Sequence, residues 1–486
     1  MKTRFTTRRT LTPLLLITAA LTCGCAGTTT FTSYPSKINP IIGDMQKKAP
    51  IDVATTLTDE CTSADRILYN MERGRVAQIS GNLPASKTDF SAAMETIQQN
   101  DQKALISASG VGAAAASILT NDNAIPYEGE GYERIMLHHY QAMNFLKLND
   151  LEAAGVEIRR ANSEQSDALK RFEGDIEKAK KDQEENQVDL NSMSPARTEY
   201  AQMDEVAGKV KNSFQNAYTF YLSGLVYELN SQPNDAYIDY KKALEIYPEN
   251  AFIRKDLVRL AAALNMREDL DAYRERFNLT PADLKDAAAG SELVILYEDG
   301  FAPQKKEVKI PLPIPKVGLV AIAFPIYKEK WSAQIPLTVK EGSDLIGATE
   351  PLCDIRALAV KALQEKVPGM ATRQLLRAAA KGAASAAASK HLGFAGQLAA
   401  SVYNYASENA DLRSWLTLPS NAQIMRVAMK SGSHKLSLTP ADNSAATTVD
   451  VTVPESGKTI LHVVRTGGQY YVTSSEFKQP VRLSRQ

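Results

Sequence analysis

The chain has 486 residues, more than a single hydrophobic core usually organises, so two or three domains are expected. Its 44% hydrophobic and 7% aromatic content excludes a largely disordered chain. Lys+Arg and Asp+Glu each number 56, which leaves no positive footprint for nucleic acid.

The chain opens with Lys2, Arg4, Arg8 and Arg9, followed by an apolar stretch from Leu11 to Leu21. That stretch is too short to span a bilayer and has the layout of a signal peptide, assigned to residues 1–24. Its removal leaves 52 basic against 56 acidic residues, a mildly acidic chain. The stretch ends in Leu21-Thr22-Cys23-Gly24-Cys25-Ala26, which resembles the lipobox of bacterial lipoproteins. The resemblance implies cleavage before Cys25, a diacylglyceryl group on its sulfur and acylation of the new amine. Gly24 before Cys25 fits that pattern better than Thr22 before Cys23. Ala26 in place of Asp favours the outer membrane, on its periplasmic side. Several acyl chains make a stable anchor, at about 0.8 kcal/mol per buried CH₂. Residues 25–40, rich in Thr, Ser and Pro, are expected to form a flexible tether.

Residues 41–286 read as helical. Phe220, Gly224, Tyr227, Ala236, Tyr240, Ala243 and Pro248 have the spacing of a tetratricopeptide repeat, with small residues where two helices touch and aromatics around them. From Gly224 the intervals to Ala236, Tyr240 and Ala243 are 12, 4 and 3. Gly74, Ser86, Phe90 and Ala93 repeat those intervals, as do Ala142, Ala154, Ile158 and Ala161. Generic amphipathic helix pairs are the alternative reading. Uncharged Ala104–Asn121 reads as a buried helix, and charged Ser163–Gln187 as one leg of a projecting helical hairpin that returns through Tyr200, Met203, Val206 and Val210. Ile253–Phe277 would cap this solenoid. Such a solenoid offers a concave face, for which Arg73, Tyr140, Asn216 and Tyr218 are candidate partner-binding residues.

Residues 287–486 change texture. Leu293–Tyr297, Lys305–Ile310, Val317–Tyr327 and Trp331–Val339 read as strands, followed near the end by His434–Leu438, Thr447–Val453, Thr459–Arg465 and Gln469–Ser474. Together they predict a β-rich, sandwich-like domain, so the fold class is α+β. Its helical insertion spans 354–410, with an amphipathic helix over Asp354–Val367 and an Ala-rich pair over Ala371–Lys390 and Ala395–Glu408. Arg373, Arg377 and Lys381 recur every four residues and are expected to share a face away from Leu375 and Ala379. That basic stripe suits lipid headgroups or anionic wall polymer, with a plain solvated face as the alternative. Trp415 reads as a core anchor.

Catalytic chemistry is not apparent. The sequence has no nucleophile elbow, phosphate loop or zinc-protease helix, and no cofactor or catalytic residue is assigned. His138 and His139 project about 100° apart and cannot chelate one ion together. Glu128, Glu130 and Glu133 near His138 read as a solvated acidic loop before a metal site, so no metal ligands are assigned. After processing, Cys61 and Cys353 remain, as a candidate disulfide or as two buried thiols.

Four blocks carry a wider resemblance: NAIPYEGEGY from Asn123, YQAMNFLKLNDLEAAGVEIRRAN from Tyr140, LYEDGFAPQKKEVKIPLP from Leu296, and DLRSWLTLP from Asp411. On these the chain resembles a family of Gram-negative outer-membrane lipoproteins with tetratricopeptide-like repeats. Members of that family are encoded beside lipoproteins similar to activators of penicillin-binding proteins, which implies a place in envelope assembly. The leading expectation is a non-enzymatic scaffold for another envelope protein. The alternatives are a structural lipoprotein that contacts peptidoglycan or membrane through its C-terminal region, and a cell-wall hydrolase.

Overall fold

A computed structural model describes residues 33–49, 57, 64–107, 125–185, 200–278, 290–314, 318–328, 331–380, 408–442 and 444–478. The signal peptide, Cys25 and Cys61 lie outside the described residues. Helices fill the N-terminal half and sheets the C-terminal half. The helices are α1 (Tyr34–Lys47), α2 (Arg66–Ile79), α3 (Leu83–Ser107), α4 (Gly131–Lys147), α5 (Leu151–Glu185), α6 (Asp204–Ala207), α7 (Ala217–Leu229), α8 (Pro233–Ile246), α9 (Ala251–Ala263) and α10 (Arg267–Phe277).

Local chemistry explains where several of them start. Asn216 caps α7 by accepting the Thr219 N–H, and Asn250 caps α9 by accepting from Phe252 and Ile253. Glu130 and Glu133 form a reciprocal capping box on α4. Pro233 opens α8, where its missing N–H costs nothing.

α2–α3, α4–α5 and α7–α8 pack as helical hairpins. A Cβ added to Gly74 would lie 2.5 Å from the Phe90 ring, and one on Gly224 would lie 2.5 Å from the Tyr240 ring. The small–large spacing therefore records helices pressed into close contact. In the middle hairpin, Ala142, Ala154, Ile158 and Ala161 are all buried.

The strands are β1 (Ser291–Asp299), β2 (Lys306–Ile314), β3 (Gly318–Ile326), β4 (Leu337–Glu341), β5 (Asp344–Ala348), β6 (Glu350–Asp354), β7 (Asn421–Ala428), β8 (Gly432–Pro440), β9 (Thr447–Val453), β10 (Gly457–Thr466) and β11 (Gln469–Lys478). They form a five-stranded sheet in the order β11-β10-β1-β7-β6, a four-stranded sheet β5-β4-β8-β9, and the hairpin β2-β3. β1 pairs parallel with β10 and antiparallel with β7. A helix over 355–380, α11, follows β6 and runs through Pro368 without a break.

The period-two pleat of β1 divides its side chains between two cores. Leu293, Ile295 and Tyr297 pack with Leu337, Val339, Leu436, Leu438 and Val451 of the four-stranded sheet. Val294 and Leu296 join the cluster that holds Leu68, Tyr140, Tyr218 and Leu225 of the helices. The expected boundary at 286/287 is thus crossed by one continuous core.

Other expectations need correction. Tyr34–Pro40, expected in the tether, belongs to α1, whose Tyr34 and Ile38 are buried. Tyr34 stacks on Tyr69, and the Met45 carbonyl accepts from Tyr471, so the first described helix is tied to β11, the last described strand. α5 is the long charged helix foreseen, but its return leg is a set of turns around α6 within 200–214. Residues 331–336 are not strand, and β5, β6 and β7 were not anticipated. β7 escapes a hydrophobic-period reading because Gln423 and Arg426 are buried within it. Of Ala104–Asn121, only 104–107 is described, as the end of α3.

Gly224→Ala should destabilise the protein by about 1–3 kcal/mol through overpacking against Tyr240. Gly43→Ala, inside α1 with nothing within 4 Å of the added methyl, should gain about 0.5–1 kcal/mol. Urea denaturation of both variants checks the contrast.

Candidate functional site

The polar residues of the interior collect along the junction between helices and five-stranded sheet. At its centre Glu298, on the helix-facing side of β1, meets the fully buried Arg75 of α2 in an ion pair. Arg75 lies 3.9 Å from the centroid of Tyr140 and donates to Gln78 Oε1 at 2.6 Å. Gln78 in turn donates to the Tyr140 carbonyl and to Asn144 Oδ1, each at 2.7 Å. Tyr218 OH donates to Glu298 Oε1 at 3.1 Å, and His462 Nε2 of β10 stands 3.2 Å from the same oxygen. Burial opposes ionisation of Glu298, but the Arg75 guanidinium outweighs it and holds the carboxyl well below its ordinary range. Burial depresses His139 to about 3 and His462 to about 4, so both rings are neutral at pH 7.

A second knot joins α7 and α9 to β1, β7 and β10. Arg426 reaches Glu228 and Asp256 at 2.9 Å and Glu292 at 2.7 Å. Arg259 pairs with Glu228 and Asp256 at 2.7 and 2.9 Å, and Lys458 pairs with Glu292 at 2.6 Å. Tyr240 of the repeat signature donates to Glu228 at 2.7 Å, so the residue that fills the hairpin also serves the knot. Three acids face three bases, and the knot is electrically balanced.

The third group grips the segment before β7. Glu133 accepts the Trp415 N–H at 2.7 Å, and Glu72 accepts those of Leu416 and Thr417 at 2.7 and 3.0 Å. Tyr127 and Tyr132 also donate to Glu133, and Tyr34 to Glu72. The Trp415 ring sits edge-on to Phe90 and Tyr140, with centroids 6.0 and 5.9 Å away. Arg413 donates to Asp65 at 3.1 Å and to the Ile125 carbonyl at 3.0 Å. Burial raises Glu72 to about 7. Glu130 behaves oppositely: burial opposes its charge, but Lys366 and Lys305 pull it down to about 2. Chemically, these carboxylates act as acceptors for this chain's own backbone. The neighbouring blocks around Glu130 and Tyr140 and the distant ones around Glu298 and Trp415 thus converge on one buried seam.

The expected partner-binding residues fare differently from one another. Arg73 is half-buried and pairs with Asp89 at 2.6 Å. Tyr140, Asn216 and Tyr218 are fully buried, which corrects their assignment to an open groove. Tyr140 is covered by Trp415 of the 411–419 segment and Tyr218 meets Glu298 of β1, whereas Asn216 is buried among the helices beside Met136 and Gln165. The basic stripe also dissolves: Arg377 is buried beside Glu408 at 3.8 Å, Arg373 is exposed, and Lys381 lies outside the described residues. Ala379, expected on the opposite face, is exposed. Phe220, Ala236, Tyr240 and Ala243 are buried, Tyr227 is half-buried, and Pro248 is exposed just beyond α8.

Cys353 is a free, buried thiol, and its candidate partner Cys61 lies outside the described residues. The expected solvated acidic loop is corrected: Glu130 and Glu133 are buried and only Glu128 is exposed, while His138 pairs with Glu157 at 2.8 Å. Among the described residues no group of three or more His, Cys, Asp and Glu side chains is set to hold a metal ion. No described helix is long and apolar enough to cross a membrane. Sequence reasoning passed over Glu72, Arg75, Glu228, Glu298 and Arg426. The available signal was a charge at an inward-facing position of an apolar element, as Glu298 in Leu293–Asp299 and Arg426 in Asn421–Ala428.

No family model, curated protein or solved structure matches this chain.

Glu298→Gln should cost about 3–5 kcal/mol, because Arg75 is left buried without its counter-charge. Adding Arg75→Met should recover much of that loss, as read by denaturant titration. Stability should also depend on pH in two windows. Folding raises Glu72 from 4.5 to about 7, so its contribution is complete below pH 4.5 and is lost as pH rises through about 7, a fall of about 3 kcal/mol at most. Glu130 and Glu292, both lowered to about 2, act the other way, and their contribution disappears as pH falls from 4.5 towards 2. Neutral buried His139 and His462 oppose the Glu72 trend, because their contribution is complete above pH 6.5 and is lost as pH falls towards 4. The Glu72 window is therefore read as the difference between the chain and its Glu72→Gln variant in denaturant midpoints from pH 4 to 8.

Proposed function

We propose that this chain is a lipid-anchored protein of the outer membrane, facing the periplasm, that serves as a non-enzymatic scaffold for another envelope protein. The anchor rests on the basic start, the apolar stretch and Cys25; the envelope assignment rests on the four blocks of the family resemblance. Support for tetratricopeptide-like character comes from the close seating of Gly74 on Phe90 and Gly224 on Tyr240.

The observation that carries the scaffold reading is the distribution of side chains between seam and surface. Glu72, Glu133, Glu228 and Glu298 all bind groups of this chain, so the interior face of the hairpins is already occupied. The distal part of α5 is the reverse. Residues 173–178 are exposed, and Leu169 and Ile176 stand 44% and 38% accessible on an otherwise charged helix. Partner binding is therefore assigned to this projecting helix and not to the buried groove. Two exposed apolar side chains seven positions apart lie on one helix face, ringed by both signs of charge, which suits a mixed-charge protein surface.

Cys25→Ala should release the full chain from membranes and abolish lipid labelling; continued labelling would move the anchor to Cys23. A photo-crosslinker at Leu169 or Ile176 should give one discrete protein adduct in cells. Leu169→Glu with Ile176→Glu should remove that adduct while leaving the melting temperature unchanged. An adduct that survives the double change rules out this helix as the contact.

A further inference from the structure

The far half of α5 carries its charges in an order that selects a partner. Ala168 and Phe172 seat the helix against Ile135 and Phe214, and this fixes which side of it faces outward. Leu169, Glu173, Ile176 and Lys180 follow one another at intervals of 4, 3 and 4, so they form one stripe along the helix. All four are exposed, and the stripe reads apolar, acidic, apolar, basic. Lys170, Glu177 and Glu184, also exposed, run beside it.

A second α5 laid parallel and in register would set Glu173 against Glu173 and Lys180 against Lys180. Turned antiparallel about a two-fold axis next to Ile176, the same stripe sets Glu173 of each copy against Lys180 of the other. Lys170 of each copy then faces Glu184 of the other, and the two Ile176 side chains meet at the axis. Only Glu177 faces its own copy. Opposite charges beside an apolar seam fix orientation and partner, as they do at the flanking positions of coiled coils.

We infer that α5 pairs antiparallel with α5 of a second copy of this chain, through Leu169, Glu173, Ile176 and Lys180. The inference rests on the assignment of partner binding to α5 and names the protein met there first; two copies so joined would present a two-fold scaffold. The stripe covers about 18 Å of helix at 1.5 Å per residue, far less than the roughly 20–30 residues a side of a standard interface. Pairing is therefore weak in dilute solution and is supported by the high local concentration of copies anchored in one membrane.

The test uses the full chain in native membranes, with a photo-crosslinker at Leu169 so that Ile176 and the charged pairs stay intact. The expected adduct has twice the mass of the chain and contains this chain alone. Glu173→Lys should weaken it about five- to tenfold, since two attractions become two repulsions. Adding Lys180→Glu should restore it, because the exchanged charges meet again only in the antiparallel arrangement, and Glu177→Gln should strengthen it. An unchanged melting temperature shows that each variant is folded. An adduct with a different protein overturns the pairing and leaves the scaffold reading standing, whereas no adduct at all removes both. A band that Glu173→Lys leaves unchanged, or that Lys180→Glu fails to restore, also overturns the antiparallel pairing.

Discussion

Arg75 and Glu298 are 223 positions apart, and each is fully buried. Neither charge is tolerable alone in the interior, because removing an ion from water costs several kcal/mol that only an opposite charge and hydrogen bonds restore. α2 therefore cannot bury its inward face until β1 is in place, and β1 cannot bury Glu298 without α2. The same dependence recurs in the Glu228–Arg426 knot and where Glu72 and Glu133 take the backbone of 415–417. Helices and sheet are consequently one cooperative unit, although either would pass as a domain by composition.

This constraint also decides which surfaces are free. A stack of helical hairpins ordinarily leaves a concave face open to a partner. Here the chain closes that face itself, laying Trp415 between Phe90 and Tyr140 and seating the backbone on carboxylates. What extends outward is the far half of α5, and that is where an external contact finds exposed apolar side chains beside charge.

Much of the fold was legible in advance. The 12-4-3 spacing located three hairpins because the pairing of small with large residues, glycine with an aromatic ring in two of them, is a local requirement stated within about 20 residues. β1, β8, β9, β10 and β11 were legible because each alternates or runs apolar between turn residues. β7 was not, since Gln423 and Arg426 interrupt its pattern, and their burial makes sense only beside Thr349, Glu228 and Glu292. Tyr140, Asn216 and Tyr218 looked like groove residues for the same reason. A polar or aromatic side chain on a helix reads alike whether it meets a partner or its own sheet.

The sequence by itself determined the helical hairpins, the order of helices before sheets and most strand positions. All of these follow from periodicity and turn chemistry over a few consecutive residues. Only the tertiary structure decided which charges are satisfied, that the two halves share a core, and that the inner face of the hairpins is closed. Those outcomes depend on partners between 198 and 345 positions apart for Glu228–Arg426, Arg75–Glu298 and Glu72–Thr417. Local pattern carries no information about which distant charge will arrive, because Coulombic pairing depends on separation in space and not along the chain.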